Sequence, residues 1–311
     1  MVADRLENCV LAFDVGGSHV SAAVCCGLQY RLGPVVSAPH PPAQTSEAFL
    51  DLLHDLRVKT GAIEKRKIGA VLAVPGPFDL MAGISLMRHK LPYLYGIDLR
   101  RELAARFEIE PAQVRFLNDA DAFLLGEIGA GAARGFRRAI GLTLGTGIGS
   151  AFAVDGRVVA EGPGVPHGGE IWNLPYQGAA VEEFVSSRAI AGNYQRRTGI
   201  KREVIDLAAA VRTDPAAEQA LAEFGRHLGE VIRSLLAGFH ADVIVLGGSI
   251  SRSADLFLPA VRALTGDSST QLRVSELKDS AALVGCGVAA FHPSGASNDP
   301  DTAKSVRAPA G

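Results

Sequence analysis

The chain has 311 residues, of which 48% are hydrophobic and 21% are charged, a composition typical of a globular protein of about two domains. Its 31 basic and 33 acidic residues give a net charge of −2, so a surface for nucleic acid or anionic membrane lacks electrostatic support. The longest apolar runs fall short of the roughly 20 residues that a membrane span needs, and the polar residues 1–8 do not resemble a signal peptide. Because the four cysteines form no C-x-x-C pair, we expect reduced thiols and a cytoplasmic protein.

The first half of the chain is predicted to consist of strands and helices around a glycine turn. Apolar runs over 9–13 and 20–26, separated by Gly16 and Gly17, predict a pair of strands. After a proline-rich connection over 34–42, the pattern predicts a helix over 47–60 and a buried strand over 68–74. A helix capped by Asp98 runs to residue 107, a short strand covers 114–117, and Asn118 with Asp119 opens the next helix.

The same design then begins again. Strands over 139–144 and 149–154 enclose a second glycine turn, and segments 14–22 and 144–151 are similar, which is a weak internal repeat. Helices are predicted over 181–194 and 202–211, from the cap Asp214 to about 239, and over 254–264 and 281–291, with a strand over 242–246. This order indicates an α/β fold with mixed sheets, built twice. Residues 293–311, rich in Pro, Ser, Ala, Asp and Gly, are expected to form a disordered tail.

Three glycine turns follow apolar strands, and they are the strongest chemical signal in the sequence. They are the first turn (Gly16, Gly17, Ser18), the second turn (Gly145, Thr146, Gly147) and the third turn (Gly247, Gly248, Ser249). Without side chains, their N–H groups can approach phosphate oxygens closely, and the hydroxyls add donors. One such turn is also what a tight hairpin needs, but three at strand ends favour anion binding. A Walker loop is absent, and so is the dinucleotide pattern in its strand-to-helix setting.

Two acidic positions in the first half lie beside these turns. Asp14 ends the first strand, where its carboxylate suits either a water-mediated Mg²⁺ contact or a turn cap. Asn118 and Asp119 lie where a strand gives way to a helix. Asp119 can take a proton from a substrate hydroxyl that Asn118 holds, or the two residues serve only as a helix cap.

Two glutamates of the second half flank an aromatic stretch over 171–176. Carboxylates beside aromatic faces bind polyols, and this pattern makes Glu170 and Glu182 candidates, although Glu182 and Glu183 also suit an exposed first helical turn. The histidines show no metal spacing with cysteines. His167 stays a candidate because it lies in a glycine-rich loop three residues before Glu170.

Taken in order, these motifs resemble the ROK family of bacterial sugar kinases, within the actin-like/hexokinase ATPase superfamily. The resemblance covers about residues 10–290. Its segments are LAFDVGGSH at 11–19, VPGP at 74–77, LNDADA at 117–122 with Gly126 and Glu127, LGTGIG at 144–149 and VLGGS at 245–249. It implies a duplicated actin-like (ribonuclease H-like) ATPase fold of two α/β domains with mixed sheets flanked by helices and a cleft between them. The domains would be 1–117, joined by the C-terminal helix 280–292, and 118–279.

The resemblance also implies a function. The protein would be an ATP-dependent kinase that phosphorylates a primary hydroxyl of a glucose-like hexose, with Asp119 as general base. The sugar would be held by Asn118, Glu170, Glu182 and the turn at Gly76. The three glycine turns would bind the nucleotide, Mg²⁺ would lie near Asp14, and the protein would be a homodimer that binds neither nucleic acid nor membrane.

The sequence departs from the family at its zinc motif. The motif's histidine position holds Asn173, and no cysteine lies between Cys26 and Cys286, so we expect no structural zinc. We expect Asn173, Trp172 or His167 to reshape the sugar pocket instead.

Three alternatives stay open. One is a sugar-responsive regulator, since the family includes repressors; their N-terminal helix-turn-helix has no room before a phosphate motif that begins by residue 14. The others are a sugar-binding protein without catalysis and a polyphosphate-dependent glucokinase.

Overall fold

The computed structural model describes residues 9–62, 68–266 and 269–292. The chain divides into two compact units: unit 1 comprises residues 1–134 and 280–311, and unit 2 comprises residues 135–279. The predicted tail over 293–311 lies outside the described residues. The division differs from the expected boundary at 117, because the helix that follows Asn118 packs against the C-terminal helix and so belongs to unit 1.

Unit 1 is built around a six-stranded mixed sheet with strand order β3-β2-β1-β5-β8, in which β4 also pairs with β2. Strands β1 and β2 are antiparallel, whereas β1, β5 and β8 run parallel to one another. The strands are β1 (Cys9–Val15), β2 (His19–Cys26), β3 (Arg31–Leu32), β4 (Val36–Pro39), β5 (Ala70–Val74), β6 (Phe78–Asp79), β7 (Ile84–Ser85) and β8 (Val114–Asn118). The helices of this part are α1 (Ser46–Lys59), α2 (Leu99–Phe107) and α3 (Asp119–Ala130).

Unit 2 repeats this arrangement in a five-stranded sheet with strand order β11-β10-β9-β14-β15. Its strands are β9 (Arg138–Leu144), β10 (Ile148–Val154), β11 (Arg157–Val159), the small pair β12 (Pro175–Tyr176) and β13 (Ala179–Ala180), β14 (Val243–Gly247) and β15 (Gln271–Val274). Its helices are α4 (Ser187–Thr198), α5 (Val204–Ala210), α6 (Pro215–Phe239) and α7 (Leu258–Thr265), after which α8 (Ala281–Phe291) returns to unit 1. In both sheets an antiparallel hairpin is followed by parallel strands, which confirms the predicted mixed α/β fold built twice.

Each unit has its own hydrophobic core, formed by the apolar faces that the sequence periodicity predicts. In unit 1, α1 buries Phe49, Leu50, Leu53 and Leu56. In unit 2, the long helix α6 buries a matching stripe that includes Leu221, Phe224, Leu228 and Ile232. Helix α6 begins as expected, because the Asp214 carboxylate accepts hydrogen bonds from the Ala216 and Ala217 amides.

Helices α3 and α8 of unit 1 pack so closely that glycines of each helix lie against the backbone of the other. A methyl group on Gly126 would lie 2.0 Å from the Ala281 carbonyl oxygen, and one on Gly285 would lie 1.8 Å from the Ala122 carbonyl oxygen. Only hydrogen fits at either position. This close packing explains why α8 is rich in small residues and why it completes unit 1.

Several elements differ from the sequence prediction. The helix expected over 181–194 is a 3₁₀ turn, Val181–Glu183, followed by α4, because Ser186 caps a new helix by accepting a hydrogen bond from the Ala189 amide. The helix expected over 254–264 is likewise split, into a 3₁₀ segment Ser249–Leu256 and α7. Strand β4 lies within the expected proline-rich connection, where an edge position tolerates Pro39, and β15 was not predicted.

The expectation of reduced cysteines is wrong for one pair, because Cys9 and Cys26 form a disulfide. They are opposite each other at the open end of the β1–β2 hairpin, a pairing that follows from the strand register. Cys25 and Cys286 are free and buried. Burial raises the pKa of the Cys25 thiol to about 12 and also raises the pKa of the Cys286 thiol. Among the described residues, no helix is both long and apolar enough to cross a lipid bilayer.

Candidate functional site

The predicted residues of unit 1 gather at one edge of its sheet. Strands β1, β5 and β8 are parallel, so their carboxyl ends meet at the same edge. Asp14 pairs with Ala73 on one side of β5, and Asn118 pairs with Val74 on the other. The backbone at Asp14 is therefore two strand spacings, roughly 10 Å, from that of β8. Gly76, which precedes Pro77 in a cis peptide, continues from β5 at this edge.

Asn118 and Asp119 have distinct roles at the start of α3. The Asn118 Oδ1 atom caps the helix, accepting from the Ala120 amide at 3.0 Å and from the Asp121 amide at 3.4 Å. The Asp119 Oδ1 atom also accepts from the Ala120 amide, at 2.9 Å. Asp119 is half-buried in the first helical turn, where the helix dipole favours a negative charge. The cap predicted for this pair and a proton-accepting role for Asp119 are therefore compatible.

His40 hydrogen-bonds to two backbone carbonyls of the first glycine turn. The turn closes with a 3.0 Å hydrogen bond from the Gly16 amide to the His19 carbonyl, while Gly17 and Ser18 are exposed. The His40 Nε2–H donates to the Gly16 carbonyl at 2.8 Å, and the His40 amide donates to the Ser18 carbonyl at 3.1 Å. His40 thus fixes both sides of the turn. Its Nδ1 atom, 3.3 Å from the Tyr93 hydroxyl, accepts from it.

In unit 2 the second and third glycine turns lie side by side. Strands β9 and β14 are parallel neighbours, and Gly247 pairs with Thr143. A methyl group on Gly248, whose φ is 80°, would lie 2.3 Å from the Leu144 carbonyl oxygen. The third turn therefore needs glycine to pack against the end of β9. The Gly145 carbonyl also accepts from the Ser187 amide at 2.8 Å, which ties the second turn to the start of α4.

Glu182 contacts the second glycine turn directly. Its Oε2 atom accepts from the Ile148 amide at 3.3 Å, and a methyl group on Gly147 would lie 2.0 Å from that oxygen. Its Oε1 atom accepts from Arg188 Nη2 at 3.1 Å. Glu182 was predicted as a sugar ligand. In the structure its carboxylate accepts a hydrogen bond from the first residue of β10, the strand that follows the second turn.

The segment around Glu170 is anchored to the same hairpin. Buried Ser150 on β10 donates to the Gly169 carbonyl at 2.7 Å and accepts from the Ile171 amide at 3.1 Å, which brackets Glu170. The Glu170 Oε2 atom accepts from the Trp172 indole N–H at 3.0 Å. Asn173 is exposed. The His167 side chain is 87% exposed, and its Nδ1 atom lies 4.0 Å from the Glu161 carboxylate.

A match that spans most of the chain decides the family. Residues 10–288 match the ROK family profile. The chain belongs to the ROK family. An N-acetyl-D-glucosamine kinase of Pectobacterium carotovorum is 26% identical over 67% of this chain and 72% of its own. Among solved structures, the ROK hexokinase of Thermus thermophilus is 26% identical, with a TM-score of 0.75 over 91% of this chain and 98% of its own.

A ROK family glucokinase from Streptomyces griseus, solved with glucose and AMPPNP, shares the fold. It is 22% identical, with a TM-score of 0.74 over 90% of this chain and 98% of its own. The expected relationship to ROK sugar kinases is therefore confirmed at the level of family and fold.

Three residues that position the ROK motifs were missed in the sequence: His40, Ser150 and Arg188. His40 and Arg188 lie outside the motifs and Ser150 directly follows the LGTGIG segment, and each acts through a contact with a residue at least six positions away. A proline-flanked histidine, a strand serine and a helix arginine carry no signal of such contacts. They could be found only once the strand register and the path of the loops were known.

The residues of unit 1 fit a magnesium ion of the kind that ROK motifs imply. In the described parts of the chain, no three His, Cys, Asp or Glu side chains form a metal-binding group. Mg²⁺ commonly keeps several waters and binds through one or two carboxylates together with substrate phosphates. Asp14, half-buried beside the first glycine turn, supplies a carboxylate of this type.

Proposed function

We propose that this protein is an ATP-dependent sugar kinase that phosphorylates a primary hydroxyl of a hexose. The observation that carries the proposal is the position of Asp119 in the first turn of α3, at the same sheet edge as Asp14 and the first glycine turn. A proton acceptor and an anion-binding turn at one edge are the two elements that phosphoryl transfer to an alcohol requires.

In this proposal Asp119 acts as general base. Its carboxylate takes the proton of the sugar hydroxyl as that oxygen forms a bond to the γ-phosphorus and the bond to the departing ADP oxygen breaks. Asn118 orients the base, because its cap bonds fix the start of α3. Proton transfer of this kind contributes about 10²- to 10⁴-fold to the rate.

The phosphates are bound by backbone amides rather than by a cluster of basic side chains. The first, second and third glycine turns would supply these amides. Mg²⁺, when bound, neutralises phosphate charge, and Asp14 would hold it through water. The contacts of His40 and Glu182 keep two of these turns in shape before the nucleotide binds, so less ordering has to occur on binding.

The sugar ligands in this proposal are Asn118, the Gly76 turn and Glu170, with Glu182, Asn173 and His167 as further candidates. Glu170 is the best supported of the unit 2 residues, because Ser150 fixes its backbone and Trp172 fixes one carboxylate oxygen. Its other oxygen can accept from sugar hydroxyls. The homodimer expected from the family belongs to this proposal and is tested by light scattering.

A coupled assay of ADP release tests the proposal. Purified protein is given Mg·ATP with glucose, mannose, fructose, allose, N-acetylglucosamine or N-acetylmannosamine in turn. We expect sugar-dependent ADP release with at least one of them, and the phosphorylated product is then identified by mass spectrometry. A parallel reaction with polyphosphate distinguishes the donor. Binding of a sugar in calorimetry without turnover by either donor would overturn the proposal in favour of a sugar-binding protein.

A further inference from the structure

Unit 2 contains a cavity of about 500 Å³ that the proposed reaction does not use. It lies between helices α4 and α6 and the segment that contains Gln177, Glu183 and Phe184. Ligand pockets in proteins range from about 300 to 1,000 Å³, so the cavity has room for a small metabolite. Its floor is apolar, with Phe184, Ile190 and Phe224, and its rim is polar.

The rim has two guanidinium groups on one face of α4. Arg188 and Arg196 both line the cavity, two helical turns apart, with Gly192 between them. The Arg196 Nη1 atom lies 3.5 Å from the position of a methyl group on Gly192, so this side chain folds back along the helix toward Arg188. Within the described ranges, Arg196 has no carboxylate within ion-pair distance.

Two carboxylates line the cavity, Glu183 and Glu223, and the charge of Glu223 is compensated from outside it. Glu223 is held by Arg197 Nη2 at 2.6 Å and lies 3.7 Å from Arg226 Nη2. Its charge is therefore compensated by arginines outside the cavity. The Nδ1 atom of the neighbouring His227 is hydrogen-bonded to the Tyr176 hydroxyl at 2.8 Å, and the two rings pack edge-to-face. The charged groups left to face a ligand are Arg188, Arg196 and the exposed Glu183, together with neutral side chains.

The cavity is connected to the second glycine turn through Arg188. Arg188 donates to Glu182 Oε1, and Glu182 Oε2 accepts from the amide of Ile148, the residue after that turn. An anion bound by Arg188 competes with Glu182 for the guanidinium. Glu182 then loses the cation that holds it against the hairpin.

From this geometry we propose that the cavity is a second, regulatory site for a phosphate monoester of a sugar, bound through Arg188 and Arg196. Two guanidinium groups match a phosphate, and the Glu183 carboxylate and the Phe184 ring suit a hydroxylated skeleton. The ligand class is that of the product in the proposed function, on which this inference rests. Occupation inhibits the kinase by loosening the hairpin at the second glycine turn.

The test measures binding separately from activity. Glucose 6-phosphate is titrated by calorimetry into protein saturated with AMPPNP and with the panel sugar that binds most tightly, which blocks the substrate site. Inorganic phosphate and glucose are titrated in parallel to separate the contributions of the anion and of the polyol. We expect glucose 6-phosphate to bind, phosphate to bind more weakly, and glucose not to bind.

Two variants identify the site. Arg196→Gln should weaken glucose 6-phosphate binding about tenfold or more, the equivalent of losing one charge-assisted hydrogen bond, and should leave uninhibited turnover unchanged. Ala189→Phe should block the cavity sterically without changing its charge. Arg262→Gln, an exposed arginine of α7 outside the cavity, is the matched control. In the wild type, inhibition should be non-competitive with the sugar.

The outcomes separate this inference from the proposed function. An active kinase that binds no glucose 6-phosphate under these conditions, or whose binding is unaffected by Arg196→Gln and Ala189→Phe, would overturn the regulatory site alone. Binding that both variants abolish, in a protein without kinase activity, would support the site and overturn the proposed function. Inhibition that is purely competitive with the sugar would assign the effect to product at the substrate site and would contradict the inference.

Discussion

Removing the His40 side chain tests whether the first glycine turn is held in a phosphate-binding shape by a residue outside the motif. His40→Leu keeps an apolar group against the Phe49 ring, whose centroid is 5.9 Å from that of His40, but it removes the hydrogen bond to the Gly16 carbonyl. The backbone bond from residue 40 to the Ser18 carbonyl remains. The variant therefore releases one side of the turn and leaves the other side attached.

The magnitude follows from the one bond that is lost. A hydrogen bond of this kind contributes about 0.5–1.5 kcal/mol net, and each 1.36 kcal/mol is a tenfold change in rate or equilibrium. We therefore expect the KM for ATP to rise roughly 2- to 10-fold with little change in the KM for the sugar. His40→Gln, whose amide can donate to the same carbonyl, should restore most of the loss.

The assay is steady-state kinetics with ATP varied at saturating sugar, on variants whose melting temperatures are checked first. Tyr93→Phe removes only the hydroxyl that bonds His40 Nδ1, so its effect should lie between those of wild type and His40→Leu. The reasoning is refuted if His40→Leu leaves the KM for ATP unchanged, or if His40→Gln is no better than His40→Leu.

Three further changes test other contacts. Glu182→Ala leaves the Ile148 amide without its acceptor and should lower kcat/KM for ATP about tenfold. Glu182→Gln keeps an acceptor oxygen and should lose less activity. Equal losses in the two variants would contradict the role of Glu182 in holding the hairpin. Gly285→Ala forces α3 and α8 apart and should lower the free energy of unfolding, measured in urea, by about 1–3 kcal/mol. The control Gly192→Ala in α4 should not destabilise the protein. Similar stability in the two variants would argue against the close contact between α3 and α8. Reducing the Cys9–Cys26 disulfide should lower the free energy of unfolding by up to about 3 kcal/mol, and a melting temperature that dithiothreitol does not change would show that the bridge does not contribute.

Local sequence signals predict the elements that carry the fold. The apolar runs before each glycine turn become β1, β9 and β14, and the Asp214 cap with Pro215 marks the start of α6. These features depend on residues that are close in sequence, such as a cap and the amides two or three positions on. For the same reason Asn118 could be predicted as a cap, and the structure shows it in that role.

Features that depend on distant contacts could not be predicted in this way. Strand β15 is only four residues long, and its pairing with β14 makes it a strand. The Cys9–Cys26 bridge depends on hairpin register, which a turn of three residues sets but a cysteine count does not. In the site, Glu182 could be chosen by its motif, but its contact with the Ile148 amide depends on how the 3₁₀ turn Val181–Glu183 packs on β10.

The most direct measurement of the central claim compares turnover and sugar binding in Asp119→Asn. Asparagine preserves the size of the side chain and an oxygen that can accept from the Ala120 amide, but it cannot take the proton from an alcohol. We predict that kcat falls at least about 100-fold, while the dissociation constant of the sugar, measured by calorimetry, changes little. Turnover close to that of the wild type would show that Asp119 is not the general base, and the proposed mechanism would be wrong.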